Sequence, residues 1–494
     1  MKKILLILVA YFGFAINSSG QFIVSNNCDS AYIEILSLRF ENANRQLQSE
    51  KKTNPNNQYI DYLENLESFL SVFISEDEIL YNTYQDKKDS RIGRLKTIDE
   101  NSPYKKYLLG NVYLQSAFAE IKFADYLSAA LDFNRAYRLI EENTEKFPEF
   151  LPNQISMGVL SIMVGLVPEN YRWFLNLLSI KGSVEEGRNS LLKVYESSLH
   201  NPEYAYLRKE TLFYLGFVDF NINPNQENIE QLLTAVQQTE DPGLLLSYLE
   251  INMLMKTGQN DAALLQFQEL ENLESYFQFS YLNYLHGECY LRKLDFRNAN
   301  IFYKKFEKEF KGKNYLKDAK RKQAWAAFLQ GDTAVYFQLM KEVPETGNQD
   351  IDIDKEAERE AELGELPVLN LLKARLLFDG GYYLEARNVL LKTNKKDLNL
   401  AQQVELTYRL ARIDQETGNL KEAKLYYEQT LLTGKNLKKY FAGNSALKLG
   451  EIYEQEGNIE KAREYYSTCL KMNFDEYEAS IHSKAKAGLE RVSK

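Results

Sequence analysis

Three histidines, His200, His286 and His482, are the side chains best suited to move a proton near neutral pH or to hold a transition metal. They lie far apart, and none stands in a His-Glu-x-x-His pair or in a zinc-ligand pattern. The run Asp350-Ile351-Asp352-Ile353-Asp354 has the alternating carboxylates of a calcium loop. Such a loop needs glycine at its sixth position and glutamate at its twelfth, and here those places hold Lys355 and Ala361. The run is therefore expected to be a solvated loop entering an acidic helix start, where Glu356, Glu358 and Glu360 favour the positive end of the helix. There is no Gly-x-Ser-x-Gly elbow, no Gly-x-Gly-x-x-Gly loop and no P-loop. Among 70 Asp and Glu no pair is singled out for acid–base work. The expectation is a chain with no catalytic residues, no metal and no cofactor.

The elements that carry these residues repeat. Near the C-terminus one pattern appears three times: Leu449-Gly450 with Tyr453, Gly457, Ala462 and Tyr466; Leu410-Ala411 with Gly418, Ala423 and Tyr427; Ala374 with Gly381, Tyr383, Ala386 and Leu390. The small residue opening each second helix steps from Ala386 to Ala423 to Ala462, that is by 37 and then 39. Two antiparallel helices pack closely only where a small residue sits at their crossing. The turn between them needs a residue that tolerates positive φ, which Gly418-Asn419 and Gly457-Asn458 provide. One hairpin cannot bury its own face, so such an array is stable only as a stack.

This pattern resembles the tetratricopeptide repeat (TPR). The resemblance implies an all-α, right-handed superhelical solenoid of antiparallel hairpins with a C-terminal capping helix. It also implies a concave surface built from first helices that takes a protein or peptide partner. Some TPR domains hold a partner's terminal carboxylate with Lys and Asn on first helices. At the matching positions this chain has Tyr408 and Arg412, then Leu447 and Glu451, so that clamp is not expected. The earlier hairpin would present Tyr281, Tyr284 and Glu288, an amphipathic surface suited to a peptide or a helix. Tyr281, Tyr284, Glu288, Tyr408, Arg412 and Glu451 are the candidate binding residues. A net charge of −10 argues against nucleic acid as the partner, because phosphate binding needs a basic face.

Around the repeats the reading is coarser. Lys2-Lys3, the apolar run Ile4 to Ile16 and Ser18-Ser19-Gly20 form a signal-peptide pattern over residues 1–20, with cleavage expected before Gln21 and a periplasmic or outer-membrane-associated destination. Cys28 lacks the residues that precede a lipoprotein cysteine. Cys28, Cys289 and Cys469 are too few for a disulfide scaffold. The segments expected are an N-terminal helical stretch 21–100, divergent hairpins 101–240, TPR-like hairpins 241–344, an acidic polar linker 345–364, three repeats 365–474 and a capping helix 475–494. The most apolar stretch, Met157 to Leu178, is interrupted by Pro168, Glu169, Asn170 and Arg172 and is too short for a span. With Trp173, Lys181-Gly182 and Gly187 it is similar to part of a eukaryotic TPR family associated with the mitochondrial outer membrane and inclusion-body clearance, which implies the same fold. The chain also looks like exported bacterial TPR proteins. A rival reading makes the 157–178 hairpin a peripheral membrane or assembly contact.

Overall fold

The computed structural model describes residues 22–167, 180–222, 226–270 and 273–493, and among these there are helices and turns but no strand. The chain divides into two compact units, one of residues 1–249 with 272–279, the other of 250–271 with 280–494.

In the first unit successive helices pair as hairpins: Asn26–Leu36 with Phe40–Thr53, Tyr59–Ser75 with Glu78–Leu95, Pro103–Lys122 with Tyr126–Lys146, and Pro152–Leu166 with Val184–His200. Local chemistry sets their ends. Ser102 caps the third pair, its Oγ accepting from the Tyr104 amide, and Pro103 follows where its missing N–H costs nothing. The apolar stripe from Tyr59 to Leu80 reads as one helix in the sequence. It breaks at Glu76, whose φ of 52° ends the first helix, and Asp77 caps the next by accepting from the Ile79 and Leu80 amides. Residues 22–25 are extended and packed. Phe22 stacks on Tyr104 at 4.3 Å, and the Asn57 side chain both accepts from the Ile23 amide (3.0 Å) and donates to its carbonyl (2.9 Å). Of the apolar stretch 157–178, residues up to 166 belong to the helix Pro152–Leu166, while Trp173 and its neighbours lie outside the described residues. Among the described residues no helix is long and apolar enough to cross a membrane.

In the second unit the hairpins are regular: Tyr281–Arg292 with Phe296–Glu309, Leu316–Leu329 with Thr333–Glu342, Leu369–Asp379 with Tyr383–Leu391, Leu400–Glu416 with Leu420–Gly434, and Phe441–Gln455 with Ile459–Leu470. The helix Glu478–Arg491 covers the last of them. In each hairpin a small buried residue of the first helix is matched by a large buried one sixteen positions later: Gly287 and Tyr303, Ala324 and Met340, Ala374 and Leu390, Ala411 and Tyr427, Gly450 and Tyr466. The reason is steric. A Cβ added at Gly450 would come 2.6 Å from the Tyr466 ring, and one at Gly287 would come 2.9 Å from the Tyr303 ring. Ala386, Ala423 and Ala462 are fully buried on the partner helices. The cysteines are all free and buried.

The small residues advance by 37 from Gly287 to Ala324 and again from Ala374 to Ala411, but by 50 from Ala324 to Ala374. The extra residues hold the helix Asp352–Leu363, so the stretch 345–364 is not a linker. Three of its acidic side chains, Asp354, Glu358 and Glu360, turn toward the helix Leu316–Leu329 and the residue before it. Asp354 is buried and accepts from the Tyr315 and Asp318 amides at 2.6 and 3.0 Å. Glu358 pairs with Lys317 at 3.1 Å, and Glu360 accepts from Trp325 Nε1 at 2.6 Å. Of the aspartate run that reads as solvated, Asp350 and Asp352 are exposed and Asp354 is buried against the start of the helix Leu316–Leu329.

Candidate functional site

The residue one position past each small residue is Glu288, Trp325, Arg375, Arg412 and Glu451 in successive hairpins. The side chains around this column decide what the face can do.

At Glu288 the face is closed. Lys322, two positions before the small residue of the next hairpin, pairs with Glu288 at 2.6 Å and with Asp318 at 2.7 Å. Tyr303 donates to Glu288, and Tyr284 donates to Asp318 at 2.5 Å while accepting from Lys322 at 2.9 Å. Arg321 completes the cluster through Asp318 and through Glu360 at 3.3 Å. Tyr284 is buried among Tyr281, Tyr303, Phe306 and Tyr315, and Tyr281 stacks on Tyr284 at 5.2 Å and meets Tyr315 at a tilt at 4.6 Å. Burial alone pushes the Asp318 carboxyl up, but Lys322 and Arg321 outweigh it and hold it well below the usual carboxylate range. The same burial, with Asp318 and Glu288 beside it, pushes the Tyr284 phenol far up. Tyr284 and Glu288, expected on an open groove, are therefore interior: their polar atoms are consumed by the neighbouring hairpin.

At Arg375 and Arg412 the face is open. Here the residue two before the next small residue is Arg409 and Lys448, of like charge, so no countercharge arrives from the next hairpin. A pocket of about 230 Å³ remains, lined by Arg375, Phe378 and Asp379 of one first helix, Tyr408, Arg409 and Arg412 of the next, Asn444 of a third with Tyr440 just before it, and Tyr477 at the start of the capping helix. Arg375 lies over the Trp325 ring at 5.2 Å and makes no ion pair among the described residues. Arg412 lies over the Phe378 ring at 5.0 Å. Its terminal nitrogens reach Tyr408 Oη at 3.4 Å and Glu416 at 3.5 Å, both at the outer limit of a hydrogen bond, and its Nε has no partner. Arg409 is held by Glu405 at 2.8 Å. Tyr408 is buried, and its Oη accepts from Asn444 Nδ2 at 2.6 Å. Tyr440 meets Tyr408, Phe441 and Tyr477 through ring contacts of 4.5–5.7 Å. The pocket therefore presents guanidinium and phenol donors between aromatic walls.

Of the six candidates, Tyr408 and Arg412 line this pocket, Tyr284 and Glu288 meet Lys322, Tyr281 packs on the Tyr284 ring, and Glu451 pairs with Lys448 at 2.7 Å outside it. Arg375, Arg409, Tyr440, Asn444 and Tyr477 escape the sequence reading. The signal for Arg375 is present, since it precedes Arg412 by one repeat of 37. Tyr440 and Tyr477 sit at turns, which the helical period does not address. The carboxylates of the aspartate run diverge: Asp350 accepts from Asn348, Asp352 pairs with Lys355, and Asp354 turns inward. Among the described residues no group of three or more His, Cys, Asp or Glu is placed to hold a metal ion.

No protein-family model matches the chain, and no curated protein matches it. Among solved structures, the human IFIT1 dimer with PPP-AAAA aligns at 13% identity and a TM-score of 0.36 over 91% of this chain and 96% of that one. Yeast Tom70 aligns at 12% and 0.31 over 90% and 91%, and the APC/C hetero-tetramer Cut9-Hcn1 at 11% and 0.27 over 95% and 97%. Likenesses of this size carry no argument about family, partner or activity, and the fold rests on the chain's own hairpins: among the described residues it is an all-helical repeat whose small and large packing positions follow the tetratricopeptide pattern.

Proposed function

We propose that this chain is a non-enzymatic interaction scaffold of the bacterial cell envelope, exported by its N-terminal segment, which takes an extended or helical segment of a partner protein on the first-helix face of its C-terminal repeats. One observation carries the reading: the pocket at Arg375, Tyr408 and Arg412 is assembled from three successive first helices and the capping turn, so a segment lying across the repeats meets side chains from each. Arg and Tyr are the residues that tend to concentrate binding energy at interfaces. Capture from an envelope fraction tests it, using the mature chain and the double variant Arg375→Gln/Arg412→Gln. The same protein should be retained by the first and lost by the second. Retention by both sinks the assignment of the site. N-terminal sequencing of the mature protein tests export, and a chain that still begins at Met1 in the cell contradicts it.

A further inference from the structure

The pocket has a sign. Three arginines line it against the single carboxylate of Asp379, and the nearby acids Glu405 and Glu416 stand on Arg409 and Arg412. The chain as a whole carries −10, so this cationic lining runs against the average. Its donors also exceed its acceptors. The Nε of Arg412 has no hydrogen-bond partner, and the Tyr408 oxygen accepts from Asn444, which leaves the phenol proton to give. The two guanidiniums lie over the Trp325 and Phe378 rings at 5.2 and 5.0 Å, which restricts where they can move. A planar guanidinium fork suits a carboxylate, which accepts two parallel N–H bonds.

We infer that the pocket at Arg375, Tyr408 and Arg412 receives an aspartate or glutamate side chain of the partner, flanked by apolar or aromatic residues that lie against Tyr440, Tyr477 and Phe378. The inference rests on the scaffold reading and adds the chemistry of the partner. It differs from a terminal-carboxylate clamp in its donors, which are arginine and tyrosine, and in its walls, which are aromatic. An acidic residue inside a chain satisfies it, with no free C-terminus required.

The experiment is fluorescence anisotropy on the full mature chain, with an end-blocked peptide of alternating phenylalanine and glutamate and its glutamine counterpart. Blocked ends remove the terminal carboxylate. The glutamate peptide is expected to bind at least about tenfold more tightly than the glutamine one, the worth of hydrogen bonds to a charged group. Its affinity should fall as salt rises. The Arg375→Gln/Arg412→Gln variant should abolish the preference, and Arg412→Lys should recover only part of it, because an ammonium lacks the fork. Equal binding of the two peptides, each displacing the other, overturns this inference and leaves the scaffold reading standing. Binding of neither overturns both. Inorganic phosphate that displaces the glutamate peptide as well as free glutamate does, or phosphatidylglycerol vesicles that capture the wild-type chain in its place, also overturns it, in favour of a phosphate or lipid-headgroup site. Should the double variant fail to fold, the salt dependence of the two peptides on the wild-type chain decides. Parallel curves sink the inference, and a steeper fall for the glutamate peptide sustains it.

Discussion

Glu288 and Arg412 hold the same place in their hairpins, one residue past the small residue that faces the second helix. The first is core and the second borders a pocket. The backbone does not explain this, since both first helices pack on their partners in the same register. The difference comes from whether the residue at this place can pair with the lysine of the next hairpin. Lys322 reaches back to Glu288 and closes the face, with Asp318, Arg321, Tyr284 and Tyr303 completing the cluster. The equivalent residue facing Arg412 is Lys448, which turns to Glu451. Both neighbours are lysines, so the sign of the column residue itself, acidic at Glu288 and basic at Arg412, separates an interior network from an open pocket.

Breaking the closed side should have the largest effect. Lys322→Ala leaves Glu288 and Asp318 buried without their shared cation, and removing one partner of such a cluster costs about 3–5 kcal/mol. Native-state hydrogen exchange across Tyr281–Arg292 and Leu316–Leu329 reads this locally, and protection that stays at wild-type levels would move the cluster out of the core.

The closed hairpin should also be acid-sensitive. His286 is stacked on Phe302 at 3.8 Å and on Phe267 at 4.1 Å, and burial, with Lys305 nearby, pushes its imidazole down to about 4. The unfolded chain takes up this proton near pH 6.5, while the folded chain refuses it until about 4. The contribution is therefore complete above pH 6.5 and is lost as pH falls through that window, on the order of 2–3 kcal/mol. His286→Phe should flatten the slope of stability between pH 6.5 and 4, and an unchanged slope would assign the titration elsewhere.

Ala462→Leu tests the crossing in the last hairpin, beyond the open pocket. It should overpack a fully buried site at a cost of roughly 1–3 kcal/mol, seen as a lower melting temperature. A matched pair of hydroxyl deletions sharpens the comparison further. Tyr284→Phe removes a bond to a buried carboxylate and should cost about 1.5–3 kcal/mol, whereas Tyr408→Phe removes one to an amide and should cost about 0.5–1.5 kcal/mol. Smallest of all, Arg412→Gln should change stability by less than about 1 kcal/mol, because the partly exposed side chain holds its acid at 3.5 Å. Equal costs for Tyr284→Phe and Tyr408→Phe, measured by thermal melts, would erase the distinction.

The repeat was legible because its determinants are local and periodic. Gly450, Ala462 and Tyr466 each do in the structure what their spacing implies, and Cys469 packs as a small core residue. The state of the groove was not legible, because it depends on pairs that cross from one hairpin to the next. Tyr284 reads as a groove residue until Asp318 and Lys322 are known to lie against it. The acidic stretch 345–364 misled for a related reason: charge alternation in sequence does not show that Asp354 and Glu360 turn inward to the helix Leu316–Leu329. Part of the pocket was within reach, since Arg375 and Arg412 share a repeat position. Tyr440 and Tyr477 come from turns that no helical period marks.

Hydrogen exchange of the full mature chain, with and without the glutamate peptide, tests the central claim most directly. The account predicts added protection in Leu369–Asp379, Leu400–Glu416 and the start of Phe441–Gln455, with Tyr281–Arg292 unchanged. Protection that appears in Tyr281–Arg292, while the three pocket helices stay at their free rates, would contradict it.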